Sequence, residues 1–156
     1  MDINELIIPA ARKGEMEVLK ELIDRKADLN HQDEKGYTPL IIACYNNQFE
    51  AAKLLINAGA DLDLCDYGGN TALMGVSFKG YSDIVKLLID KGANLNLQHG
   101  NGGTALMFAA MFGRNEVLAL LLNSGADKTL ADKNGQSAME LAALQGNEFG
   151  MELLRS

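Results

Sequence analysis

The chain has 156 residues, 47% of them hydrophobic and 6% aromatic, with a net charge of −7. This is enough apolar material for one domain with a continuous core, and the acidic balance argues against a general nucleic-acid binder, which needs clustered Lys and Arg against phosphate. No stretch approaches the roughly 18 consecutive apolar residues of a membrane span, and the opening Met1-Asp2-Ile3-Asn4-Glu5 is acidic where a secretory leader is basic; a soluble, cytoplasmic protein without membrane contact is expected.

Residues 1–32 read as a pair of helices. Asp2 or Asn4 can cap the first, Pro9 is expected near its first turn, where the missing N–H costs little, and Gly14 ends it. The second helix carries Glu15, Glu17, Lys20, Glu21, Asp24, Arg25 and Lys26; Glu21 stands where later segments have Leu54, Leu87, Leu120 and Leu153. A solvated end face accounts for this run of charge. Residues 33–65 open on a turn, Asp33-Glu34-Lys35-Gly36-Tyr37, followed by Thr38 as a cap and Pro39, whose fixed φ suits the first helical position. Leu40, Ala43 and Cys44 follow at helical spacing, Asn47 ends the helix, and a second apolar run from Phe49 to Ile56 stops at Ala58-Gly59-Ala60-Asp61.

Residues 66–98 repeat the plan with an oddity, Gly75 inside the first helix, at a cost of about 1 kcal/mol relative to Ala. It either makes room for bulk such as Ile42 and Phe108, its equivalents in neighbouring segments, or opens a notch. Residues 99–131 have His99 in place of the turn Asp (Asp33, Asp66, Asp132) and the run Leu106-Met107-Phe108-Ala109-Ala110-Met111-Phe112. In residues 132–156, Glu148, Gly150, Glu152 and Arg155 are expected to give the last helix a polar outer face. Thr38 recurs as Thr71, Thr104 and Ser137, and Gly36 as Gly69, Gly102 and Gly135, with a period of 33 residues. Such short helices cannot bury their apolar faces alone, so consecutive units must stack.

The pattern resembles the ankyrin repeat, a β-turn plus two helices in about 33 residues with a T-P-L-H-x-A signature. The residues that carry it are Gly36-Tyr37-Thr38-Pro39-Leu40-Ile41-Ile42-Ala43 and Gly102-Gly103-Thr104-Ala105-Leu106-Met107-Phe108-Ala109, each followed by Leu-Leu and Gly-Ala pairs. The family's helix-one His is replaced by Ile41, Met74, Met107 and Glu140, and its Pro survives only at Pro39. The resemblance implies an all-α fold: an ankyrin-repeat solenoid of paired antiparallel helices joined by β-turn hairpin loops. One domain over residues 1–156 is expected, with units of approximately 1–32, 33–65, 66–98, 99–131 and 132–156.

Catalytic, metal and cofactor spacings are missing. Cys44, Cys65, His31 and His99 form no C-x-x-C or H-x-x-x-H pattern and no disulfide framework, while Gly100-Asn101-Gly102-Gly103 lacks the Gly-Lys-Ser/Thr that completes a phosphate loop. A non-enzymatic protein without cofactor or metal is expected, monomeric when unbound. The resemblance implies a partner protein or peptide held in a concave groove by turn tips and first helices. Carried over by position, the turn residues are Lys35, Tyr37, Tyr67, Asn70, Asn101, Lys133 and Gln136; the helix-end residues are Arg12, Lys13, Tyr45, Asn46, Phe78, Lys79, Met111, Phe112, Leu144 and Gln145. Tyr45, Phe78, Met111/Phe112 and Leu144 occupy corresponding helix-end positions and are expected to form an apolar stripe. Binding would scaffold, inhibit or stabilise the partner. Two alternatives stand beside this: an enzyme with a site around Gly75, and a substrate of an asparaginyl hydroxylase, since Asn30 and Asn96 sit where relatives of this kind can be modified.

Overall fold

The computed structural model describes residues 2–156. Among them are ten helices: α1 (Ile3–Lys13), α2 (Met16–Asp24), α3 (Pro39–Tyr45), α4 (Phe49–Asn57), α5 (Ala72–Lys79), α6 (Ser82–Asp90), α7 (Ala105–Met111), α8 (Asn115–Asn123), α9 (Ala138–Leu144) and α10 (Glu148–Arg155). No strand forms among the described residues; one isolated bridge joins Ala131 and Ser137. The fold is all-α, as expected. The chain divides into two compact units, one ending at Ala72 and the other beginning at Leu73.

In the first unit α1 packs on α2 and α3, and α4 on α2 and α3. Ile7, Leu19, Leu40 and Leu55 are fully buried between them, each worth about 1.5–3 kcal/mol for leaving water. Asp2 caps α1 by accepting from the Asn4 amide at 2.9 Å. Asn4 turns its own carbonyl oxygen to the Asp28 amide at 2.7 Å. Pro9 departs from expectation: it lies inside α1, not near its first turn, because Asp2 starts the helix early. Both Pro9 and Glu5, whose carbonyl loses its amide partner, are exposed, so water can replace the missing donor. The Thr38 hydroxyl accepts from the Ile41 amide at 3.1 Å and Pro39 opens α3. Asn47 follows α3 at φ 58, as Gly14 follows α1 at φ 68, the left-handed turn that Asn tolerates and Gly adopts freely.

In the second unit α7 packs on α8 and α9, α8 on α6 and α10, and α9 on α10. Its centre is Val76, Ile84, Val85, Leu88, Leu106, Val117, Leu118 and Leu121. Thr104 caps α7 through the Met107 amide at 3.2 Å. Ser137 and Glu140 form a reciprocal capping box on α9. Gly75 is half-buried in α5; two residues on, the fully buried Ser77 hydroxyl has no hydrogen-bond partner among the described residues.

Glu21 is exposed and pairs with Arg25 at 2.7 Å, an ion pair of little stabilising value in water. The last helix is less polar outside than expected. Glu148, Glu152 and Arg155 are exposed as expected, but Gly150 is buried, packed so that a Cβ there would collide with the Asn147 side chain and meet Asn115 Oδ1 at 3.0 Å, and Phe149 is 66% exposed.

Candidate functional site

Each turn is built by one side chain. Asp33 Oδ1 accepts the Lys35 and Tyr37 amides, Asp66 Oδ1 those of Gly68 and Asn70, and Asp132 Oδ1 those of Asn134 and Gln136, all at 2.9 Å. These are Asx turns, in which a carboxylate takes over the work of a backbone acceptor. His99 does half of this: its Nδ1 accepts from the Gly103 amide at 2.8 Å. Nδ1 is therefore unprotonated, and the neutral ring carries its hydrogen on Nε2.

Neighbouring turns are bonded to one another. The Tyr67 amide donates to Lys35 O at 3.1 Å and the Lys133 amide to Asn101 O at 3.0 Å. Glycine permits this approach. A Cβ on Gly36 would stand 2.7 Å from Tyr67 N, and one on Gly102 2.9 Å from Asp132 Cα and Lys133 N, at φ of 83 and 85. Gln32 Nε2 donates to both Gly36 O and Cys65 O, and Gln98 Nε2 to Gly102 O and Ala131 O. Below the turns, Asn30 Oδ1 accepts the Asp61 amide and Asn96 Oδ1 the Asp127 amide.

The ends of three first helices, α1, α5 and α7, are held from the next helical pair. Gln48 Nε2 donates to Arg12 O at 3.2 Å, Arg114 Nε to Phe78 O at 2.9 Å and Asn147 Nδ2 to Ala110 O at 3.0 Å. Each satisfies a carbonyl that a helix leaves without an intrahelical donor. Side chains presented at these ends therefore stand on a fixed backbone, which lowers the ordering cost of binding.

Of the turn residues expected to meet a partner, Lys35, Tyr67, Asn101 and Lys133 are exposed, Tyr67 at 72%. Tyr37, Asn70 and Gln136 are half-buried, and Asn70 turns its amide back to Asp66 at 3.3 Å. Of the helix-end residues, Arg12, Lys13, Asn46 and Gln145 are exposed; Tyr45 is 42%, Phe112 45% and Leu144 65% exposed. Phe78, Lys79 and Met111 are half-buried. Asn46 spends its amide on Ile42 O at 2.8 Å. In the second unit Phe78 and Phe112 meet edge to face, ring centroids 4.7 Å apart.

The second unit also has a cleft of about 230 Å³ between the turns 99–103 and 132–136. Met107 and Leu141, both buried, and the half-buried Phe108 and Met111 form its floor; the exposed Asn101, Lys133 and Asn134 stand at its rim with His99. The His99 ring lies edge-on to Phe108, 5.2 Å between centroids. Met107, Phe108, Leu141 and His99 were not among the expected contacts. His99 in a turn position otherwise held by Asp was the signal in the sequence. Phe149 was also missed; its equivalents Glu17, Glu50, Asp83 and Glu116 are all acidic.

A family model for ankyrin repeats, three copies long, matches residues 7–99 and 75–156. The chain belongs to the ankyrin-repeat family. Ankyrin repeats are generally protein–protein interaction modules and typically not enzymes. A search of curated proteins finds no match. Among the described residues of this ankyrin-repeat chain no three His, Cys, Asp or Glu side chains are grouped to hold a metal ion, and no helix is long and apolar enough to cross a membrane. Burial pushes the Cys44 thiol up to about 12, so it is no nucleophile at neutral pH. The Asp127 carboxyl is held below its ordinary value by the Thr129 hydroxyl at 2.6 Å and the Thr129 amide at 2.9 Å.

Proposed function

We propose that this chain is a non-enzymatic binding module that holds a partner protein or peptide through its turn tips and the exposed ends of its first helices. The observation that carries the reading is the exposure of large apolar and aromatic side chains at those positions: Tyr67 on a turn, and Tyr45, Phe112 and Leu144 at helix ends. Side chains of this kind contribute most of the affinity at protein interfaces, and here Tyr67 projects from an Asx turn and Phe112 from the end of α7, which Asn147 holds. The effect on the partner is by occupancy, as scaffold, inhibitor or stabiliser. No nucleic acid or membrane takes part, and the chain is a monomer when unbound. A reducing, cytoplasmic setting agrees with two free cysteines, one of them exposed.

Among the exposed residues at these positions the basic Arg12, Lys13, Lys35 and Lys133 outnumber the acidic Glu34, although the chain carries −7; the turn carboxylates Asp33, Asp66 and Asp132 are half-buried and bonded to their own loops. This favours a partner segment that is apolar with some acidic residues. The hydroxylase-substrate reading is weaker, because nothing beyond the positions of Asn30 and Asn96, each holding the amide of a following loop through Oδ1, favours it. The test is to use the protein as bait in lysate of its source organism beside the Tyr45→Ala/Phe112→Ala variant. A protein retained by the wild type and lost by the variant is expected; identical captures would overturn the assignment of the face.

A further inference from the structure

We propose that the cleft between the turns 99–103 and 132–136 is the anchor point of the partner, receiving one large apolar side chain whose neighbour in sequence is Asp or Glu. This rests on the reading of the turns and first helices as the binding face and adds what is bound there. At about 230 Å³ the cleft is smaller than the roughly 300–1,000 Å³ of small-molecule sites. It suits a single side chain. Met107 and Met111 are flexible and polarisable, so the floor adapts to Leu, Met or Phe alike, while the His99–Phe108 edge contact fixes one wall.

The rim decides the charge of the neighbour. Lys133 makes no ion pair, and the side-chain amides of Asn101 and Asn134 make no hydrogen bond, among the described residues. His99, with Nδ1 already accepting, offers a donor at Nε2. The carboxylate present, Asp132, is turned to its own loop by two amides. The unspent groups are thus the Lys133 ammonium, the His99 Nε2 donor and two Asn amides that can donate as well as accept, beside an Asp132 whose two loop bonds both fall on Oδ1; together they can receive a carboxylate held beside an apolar chain.

The test uses three synthetic peptides, Gly-Ser-Glu-Leu-Glu-Ser-Gly, the same with Lys for Glu, and the same with Ala for Leu, titrated into the isotope-labelled full chain and followed by amide NMR. The first should shift Gly103, Lys133 and Asn134 saturably, and the other two should bind at least about fivefold more weakly. In Lys133→Glu, whose thermal midpoint should match the wild type, the preference should pass to the Lys peptide. Equal responses to all three peptides, shifts elsewhere, or none would overturn the proposal. The captured partner separates this from the broader reading. If Lys133→Glu binds it like wild type while Tyr45→Ala/Phe112→Ala does not, the cleft is wrong and the face stands; if both variants bind like wild type, the face falls as well.

Discussion

Leu88→Ala tests the packing on which the whole arrangement depends. Leu88 lies on α6 at 0% exposure, in the same buried set as Ile84 and Val85. Removing its outer carbons forfeits about 2.4 kcal/mol of transfer free energy at ~0.8 kcal/mol per methylene. The unfilled space raises the total to about 3–5 kcal/mol. For a chain of this length each kcal/mol moves the midpoint by about 2–4 °C, so a fall of about 6–20 °C is expected in a thermal melt followed by circular dichroism. Val18→Ala, on the exposed side of α2, is the control and should stay within about 0.5 kcal/mol of wild type. A midpoint for Leu88→Ala within 2 °C of wild type would refute the burial argument. The same melt addresses the expectation of one domain over residues 1–156: one transition agrees with it, and two would divide the chain.

The cap on α7 predicts that Thr104→Ala costs about 1 kcal/mol in urea denaturation while Thr104→Ser costs much less, because the oxygen facing the Met107 amide is kept; equal losses would remove the cap from the account. With burial holding Cys44 near 12 and Cys65 exposed, a thiol reagent at pH 8 should label one cysteine quickly and the second only on unfolding. Two fast thiols would contradict the packing around α3. The Asp127 carboxyl should titrate below its ordinary value of 3.8 by carbon-13 NMR. Since its folded value is the lower one, its stabilising contribution is present above the ordinary carboxylate range and is lost as pH falls through the lowered value. A midpoint at or above 3.8 would show that the Thr129 contacts do not persist in solution.

Much of the fold was legible because its determinants are local. A hydroxyl three residues before an amide, an Asp two and four residues before the amides it accepts, and a left-handed residue at a helix end can all be found within five residues of sequence. Pro9 was misplaced for the complementary reason: a helix start set by Asp2 overrode a preference that holds for interior prolines in general. The bonds from Gln32, Gln48, Gln98, Arg114 and Asn147 to the adjoining repeat were not legible. Gln48, Arg114 and Asn147 differ in type at corresponding positions, Gln32 and Gln98 match but have Cys65 between them in the period, and all the acceptors are backbone carbonyls, which leave no mark in a sequence. The cleft was missed because Met107 and Phe108 look like core at helical spacing. Only the turns on either side, one carrying His99 and the other Lys133, make that patch of core an open site.

The central claim is that the exposed turn and helix-end side chains hold a partner, and the most direct measurement is the dissociation constant of the captured partner for the wild type and for Tyr45→Ala/Phe112→Ala, by calorimetry. The two truncations should weaken binding by about tenfold or more in a variant that stays folded, its midpoint lowered only by the few degrees that loss of the Phe78–Phe112 contact costs. Equal dissociation constants in a folded variant would contradict the account and move the interface to another face of the repeats.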